Sequence, residues 1–162
     1  MQPTDLRQLY LAELQEAQSF EEQIAETFSR LAEKASDAKL RQTFDDDISE
    51  SKGHAFELSQ ILAAHGMDPR ADDDRAMHGI LAEADRWAGR IGEATVRDAA
   101  LIASAQRVQH YEIAVYGSLA SWAQRLGFEE VEALQSIAEE EKAADIRLTR
   151  LAERQVNRQA AA

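Results

Sequence analysis

The chain has 162 residues, no cysteine, and 30 Asp plus Glu against 18 Lys plus Arg, a formal net charge of −12. Its length fits one domain, residues 1–162, and its acidity excludes nucleic acid and anionic membrane surfaces as partners, because both would repel it. The missing cysteines exclude a disulfide framework and a thiolate metal site, and no apolar run approaches the ~20 residues of a membrane span.

Taken from the N-terminus, Met1 to Arg7 has no signal-peptide pattern, so the cytoplasm is the expected compartment. Only seven glycines and two prolines occur. Ala, Glu, Leu, Arg and Gln dominate, and all are strong helix formers, so the fold class is all-α. Pro3 and Thr4 open the first long helix, with Thr4 as N-cap and Asp5 in the electropositive first turn. It runs to about Lys34. Ser36 and Asp37 offer the next cap, and the second long helix runs from there to His65. Gly66 fits the left-handed position after it, and Asp68-Pro69 prevents continuation.

A linker, Met67 to Ala71, leads to a shorter helix from Asp72 to Ile91. Its apolar residues Met77, Ile80, Leu81, Ala84, Trp87, Ala88 and Ile91 share one face. Gly92 ends it. Thr95 starts the third long helix, with Asp98 three residues on as a variant capping box. That helix stops at Leu126, before Gly127. The fourth spans about Glu129 to Arg154, and the tail from Val156 to Ala162 is expected to fray. The tight first and last connections make each pair antiparallel neighbours. The connection between the second and third long helices is long and carries its own short helix. This is the pattern of a ferritin-like four-helix bundle with one long crossover.

The core seams are interrupted by acids. The first helix places Leu6, Tyr10, Glu13, Ala17, Phe20, Ile24, Phe28 and Leu31 at steps of three and four. The third places Leu101, Ala105, Val108, Glu112, Val115, Leu119, Trp122 and Leu126 in the same rhythm. The fourth gives Val131, Leu134, Ala138, Glu141, Asp145, Leu148 and Ala152. The second is less regular: Leu40, Phe44, Ile48, Ser51, Ala55, Leu58 and Leu62, with Glu50 and His54 four apart on one edge. Each interruption falls near mid-helix. An unpaired buried carboxylate costs several kcal/mol or takes up a proton. Five acids and a histidine at one level of a bundle therefore call for shared cations, and their chemistry suits iron, manganese or zinc. The known bundle arrangement has one Glu from each of two helices and a Glu–His pair from each of the others. Here Glu13 and Glu112 are the single ligands, and Glu50 with His54, and Glu141 with Asp145, are the pairs. Salt bridges are the competing account, with Arg107 and Lys142 near enough in sequence to neutralise some of these acids.

The sequence also resembles a family. VRDAALIASAQRVQHYEIAVYGSLASWAQRLG, Val96 to Gly127, and EEEKAADIRLTRLA, Glu139 to Ala152, are similar to the third and fourth helices of the small bacterial stress proteins typified by YciE and YciF. LYLAELQ, Leu9 to Gln15, and ESKGHAFEL, Glu50 to Leu58, match their first two helices more loosely. The resemblance covers about Asp5 to Ala152. It implies a ferritin-like fold with a di-metal centre, usually discussed as di-iron, and leaves the activity poorly defined. The chain departs from the pattern at Gln109, where the family has Glu. Its pairs are spaced by four rather than as Glu-x-x-His, and Ser51 stands three residues before His54. Asp145 replaces the second histidine, as in the family. Its shorter stem and extra charge favour a harder, more oxidised metal state.

Gly53 lies inside the second helix beside His54, where it costs about 1 kcal/mol relative to Ala. A local π-bulge that aims Glu50 and His54 at one metal would account for it, as would close helix packing. Of three acid triplets, Asp72–Asp74 suits a helix N-terminus through the dipole, and Asp45–Asp47 and Glu139–Glu141 are mostly solvated faces, although Asp47 and Glu141 point inward. His65 reads as a helix-terminal residue and His78 as exposed. His110 reads as a hydrogen-bonded core histidine near the site, Gln109 as its neighbour on the Glu112 face, and Tyr10 as a donor one turn before Glu13. The third helix is apolar on two faces, so one meets the crossover helix or another subunit, and a homodimer is expected.

Two functions follow. The first is a redox protein with two ions, iron before manganese or zinc, bridged by Glu50 and Glu141. Glu13 and His54 complete one ion, and Glu112 and Asp145 the other. O2 or hydrogen peroxide is its oxidant, which makes it a ferroxidase or peroxide scavenger of the stress response. The second is a helical bundle that binds metal without turnover, or a metal-free interaction bundle. No phosphate loop, nucleophile triad or dinucleotide fingerprint is present.

Overall fold

A computed structural model describes residues 2–70 and 72–162 of the chain. Four long helices, α1 (Leu6–Lys34), α2 (Ala38–Ala64), α4 (Ala94–Leu126) and α5 (Val131–Leu151), form the bundle, and α3 (Arg75–Arg90) lies in the crossover. No strand occurs among the described residues. The expected four-helix bundle with a helix-bearing crossover is the observed architecture. Met1 and Ala71, the first residue of the expected domain and the last of the expected linker, lie outside the described residues. No described helix is long and apolar enough to cross a membrane.

The helix ends follow local chemistry, with some corrections. Asp5, not Thr4, caps α1, its carboxylate accepting from the Gln8 amide at 2.8 Å. Thr4 instead donates to the side chain of Gln8. Asp37 caps α2 and Asp74 caps α3. Glu93 caps α4, two residues earlier than expected from Thr95. Asp98 does not serve its own helix; it accepts from Ser36 N at 2.9 Å, Asp37 N at 2.8 Å and the Ser36 hydroxyl, tying α4 to the α1–α2 turn. Gly66 (φ 71°) and Gly127 (φ 73°) take the left-handed conformation that ends α2 and α4. Only glycine adopts it cheaply.

The last helix also differs from expectation. After Leu151 the chain makes one π turn, Ala152–Val156, and continues as α6 (Asn157–Ala160). Val156, at the start of the supposedly frayed tail, is buried. A π turn winds wider than an α turn, so residues four apart stay in line. Leu148, Ala152 and Val156 are all kept on the core face by it. The reverse holds at Gly53, where α2 is an unbroken α-helix and no bulge forms. Close packing does not account for Gly53 either, since a Cβ there would meet nothing within 4 Å.

The core is one apolar cluster running the length of the bundle, with Phe20, Phe28, Phe44 and Tyr116 among its largest members. The second apolar face of α4 is covered by α3, where Tyr111 donates to Asp74 at 2.8 Å and Met77 is buried.

Candidate metal centre

Among the described residues six carboxylates are buried: Glu21, Asp47, Asp74, Asp98, Glu112 and Glu141. Asp74 and Asp98 are hydrogen-bonded at helix ends and hold structure. The other four gather at mid-bundle, one from each long helix, together with His54 of α2. All five residues are between 0 and 5 % exposed.

The helical repeat explains the convergence. A stripe facing one partner advances by alternating steps of four and three. From Tyr10 that rhythm gives Leu14, Ala17, Glu21, Ile24 and Phe28 on α1. From Leu40 it gives Phe44, Asp47, Ser51, His54 and Leu58 on α2. On α5 it gives Leu134, Ile137, Glu141, Ala144 and Leu148. Every one of these is buried.

His54 is the hub. Its Nδ1 lies 3.4 Å from Glu21 Oε1 and 3.4 Å from Glu141 Oε1, and its Nε2 is 3.0 Å from Glu140 Oε2 at the bundle edge. Tyr116, fully buried, donates its phenolic hydrogen to Glu21 Oε1. Asp47 lies toward the outside, with Arg147 NH2 3.5 Å away. The same guanidinium is 3.1 Å from Glu50.

Burial and mutual repulsion keep protons in this cluster. Desolvation, then the charges of Glu141, Glu21 and Asp47, hold Glu112 well above the usual carboxylate range. Desolvation and Glu21 push Glu141 up to about 8. Desolvation and Glu50 push Asp47 up to about 7, against the pull of Arg147. Burial alone would lower His54, but Glu21, Glu140 and Glu141 outweigh it and raise it to about 9.

Five polar atoms here are buried with no hydrogen-bond partner: Glu21 Oε2, both oxygens of Asp47, His54 Nδ1 and Glu112 Oε1. Such atoms are expensive unless something else satisfies them. Four carboxylates and one imidazole are donors that iron, manganese and zinc accept, and two divalent ions would balance the four negative charges. The residues therefore fit a di-metal group. As they stand, no three acidic or histidine side chains among the described residues close around a single point.

The six residues singled out from the sequence divide evenly. His54, Glu112 and Glu141 are in the cluster. Glu13 is not; it is half-buried on the side of α1 that faces Asp74 and the crossover, where burial and Asp74 raise it. Glu50 is at the surface with Arg147. Asp145 turns to Gln106, which donates to it at 3.0 Å, and the buried position one turn after Glu141 belongs to Ala144. The supporting residues also need correction. Tyr10 is buried at one end of the bundle and donates to Glu130 at 2.7 Å. His110 is an exposed side chain, 3.6 Å from Asp145. Gln109 is buried, with an unpartnered carbonyl oxygen. Lys142 pairs with Glu139, outside the cluster.

Glu21 and Asp47 are the two cluster members that the sequence reading did not place among the candidate ligands. A signal for Glu21 exists in the sequence as a short internal repeat. QEAQSFE, Gln15 to Glu21, and QRVQHYE, Gln106 to Glu112, share both glutamines and the final glutamate and place an aromatic before it. The repeat sets Glu21 on α1 equivalent to Glu112 on α4. Phe20 and Tyr111 meet edge to face at 6.0 Å, and Gln18 and Gln109 both bury an unpartnered carbonyl oxygen.

Residues 5–161 match the profile of a domain of unknown function, DUF892. Protein YciF of Escherichia coli K12 is 36% identical over 157 residues, which are 96% of this chain and 95% of YciF. The crystal structure of that protein, described as a stress protein, superposes with a TM-score of 0.90 over 96% of this chain and 99% of the other. YcfI of Rhodopseudomonas palustris superposes at 0.86 with 35% identity, over 90% of this chain and 94% of that one.

Proposed function

The chain belongs to the DUF892 family, and from that premise we propose that it is a ferritin-like di-metal carboxylate protein that oxidises ferrous iron or reduces O2 or hydrogen peroxide under stress. One observation carries the reading: four buried carboxylates and a histidine meet at mid-bundle with five polar atoms unsatisfied. The stress assignment rests on the likeness to YciF, whose structure is described as that of a stress protein.

Glu21 and Glu112 would be the single carboxylates from α1 and α4. Asp47 with His54 from α2, and Glu141 from α5, would complete the set. Redox-active metal held by these residues would supply electrons to a small oxidant. The chain's own contribution is to assemble and shield that place. Tyr116 fixes one oxygen of Glu21. Phe20, Leu58 and Leu119 belong to the apolar cluster that keeps bulk water out of the bundle. Glu112 and Glu141 hold the protons that an arriving cation would displace.

A bundle that binds metal without turnover is the second reading; Arg147 and His54, which stand beside the acids, are the cations a bound metal would compete with. A metal-free bundle fits less well, because among the described residues only Asp47 of the four acids has an Arg or Lys within ion-pair distance. Mass spectrometry of untagged protein should find about two ions per chain. Stopped-flow oxidation of added Fe(II) should show a phase that Glu141→Ala abolishes. Metal content with no such phase supports the second reading. No bound metal, together with a melting temperature indifferent to chelation, overturns both metal readings.

A further inference from the structure

Arg147 has a second neighbourhood. It also lines a groove of about 270 Å³ between the start of α2 and the end of α5 with the π turn that follows, with Lys39, Thr43, Arg150, Arg154 and Gln155. The chain has an excess of twelve negative charges, yet this lining carries four cationic side chains and no carboxylate. Arg147, Arg150 and Arg154 follow one another at steps of three and four, so they share one face of the helix. Lys39 approaches from α2.

Two facts set this groove apart from an ordinary solvated patch. The first is pairing. Arg147 has Glu50 and Asp47, but Lys39, Arg150 and Arg154 make no ion pair with any described residue. The acid nearest to Lys39 in sequence, Asp37, accepts from the amides of Lys39 and Leu40 and from the side chain of Gln155. The second is the helix dipole. Lys39 sits in the first turn of α2, at the positive end, where a cation is disfavoured. Dipole compensation therefore does not account for the lysine. An anion between it and the arginines relieves both the mutual repulsion and the misplaced lysine.

We propose that this groove binds a small phosphate-bearing anion, either inorganic phosphate or a small phosphorylated metabolite. Guanidinium forks match phosphate oxygens two at a time, and lysine adds a point charge. The volume suits a ligand of that size. The net charge of the chain selects against polyanions, which meet the acidic surface beyond the groove, whereas a small anion meets only local charge within a screening length of about 8 Å.

The test is a titration of the full chain with inorganic phosphate and, separately, glycerol 3-phosphate. Ionic strength is held constant with sodium chloride, and calorimetry and melting temperature are read. Wild type should give a saturable isotherm near the millimolar range, about −4 kcal/mol. The double variant R150Q/R154Q and the single K39Q should each weaken binding about tenfold, and the distant R70Q should leave it unchanged. All four positions are exposed, so folding is preserved and circular dichroism checks it. Tighter binding of phosphate points to the free ion, and tighter binding of glycerol phosphate to a metabolite. The proposal is overturned by no response beyond that to chloride, or by equal binding in wild type and R150Q/R154Q.

Discussion

Tyr116 donates its phenolic hydrogen to Glu21 in the dry middle of the bundle, and both side chains are fully buried. Burial and the neighbouring carboxylates, Glu21 foremost, hold that phenol protonated well above its ordinary range, so the donor is permanent. The other oxygen of Glu21 has no partner. Tyr116→Phe removes the hydrogen bond that the phenol gives to Glu21. In the metal-free protein this should lower stability by about 1–3 kcal/mol, measured by urea unfolding. A divalent ion that engages Glu21 should shrink the loss. An unchanged unfolding midpoint would show that the bond contributes nothing.

The shared protons make stability fall with rising pH. Glu141 and Asp47 are raised to about 8 and about 7, so the folded state holds protons that the unfolded chain has already released. Wherever the native state binds more protons, stability drops as pH increases. His54, raised to about 9, acts in the same direction, because its stabilising charge is complete below its unfolded value and lost as pH passes its folded one. In a chelator, the urea midpoint should decline steadily from about pH 5 to about pH 9. A saturating divalent ion takes the place of the protons and should flatten the curve. A midpoint that climbs over this range contradicts the proton-sharing account.

Glu21 and Glu13 are separated by two turns of α1 and by their surroundings. Glu21 is fully buried in the cluster, while Glu13 is half-buried beside the crossover. Glu21→Gln should weaken Mn(II) binding by at least about tenfold, read by electron paramagnetic resonance of the free ion. Glu13→Gln should bind as wild type does. Equal loss in both variants would return Glu13 to the site.

The bundle was legible because helix formers, caps and glycine stops agree along the whole chain. The site was half legible for a reason that lies in packing. α1 is covered by α2 and α4 on one side and by α3 on another, so apolar residues appear in two registers. Phe20 is fully buried against Tyr111 and Tyr116, which makes a seam through Glu13 and Phe20 look as good as the one through Leu14 and Glu21. On α2 the same slip passed over Asp47 for Ile48, and on α5 it chose Asp145 over Ala144. α4 is also buried in two registers, but the seam through Leu101, Ala105, Val108, Glu112, Val115 and Leu119 is buried in the structure too, and there the reading and the structure coincide. A strict alternation of four and three, checked against the repeated Q-x-x-Q-x-aromatic-E, resolves α1.

Gly53 sits on the exposed side of α2, in regular helix, with open space where a Cβ would stand. Its φ is not left-handed, so no strain opposes an ordinary residue. Gly53→Ala should stabilise the protein by about 1 kcal/mol and leave metal content unchanged. Destabilisation would mean that the helix opens at this point when an ion enters beside His54.

Asp98 joins the top of α4 to the turn between α1 and α2. Its two oxygens accept from the backbone amides of Ser36 and Asp37 and from the Ser36 hydroxyl, and the group is almost wholly buried. Unlike the mid-bundle acids it is satisfied entirely by the chain, so it is a clasp and not a ligand. Asp98→Ala leaves the amide hydrogens of Ser36 and Asp37 and the Ser36 hydroxyl without their acceptor, and Asp98→Asn keeps one oxygen but adds a donor where only acceptors fit. Both should cost about 2–4 kcal/mol, because hydrogen bonds to a charged group are lost. The turn should also become the first site of hydrogen exchange, with the amides of Ser36 and Asp37 losing protection before those of α4. Metal stoichiometry should not move. If it fell in step with stability, the clasp and the carboxylate cluster would be one cooperative unit and not two separate uses of buried acid.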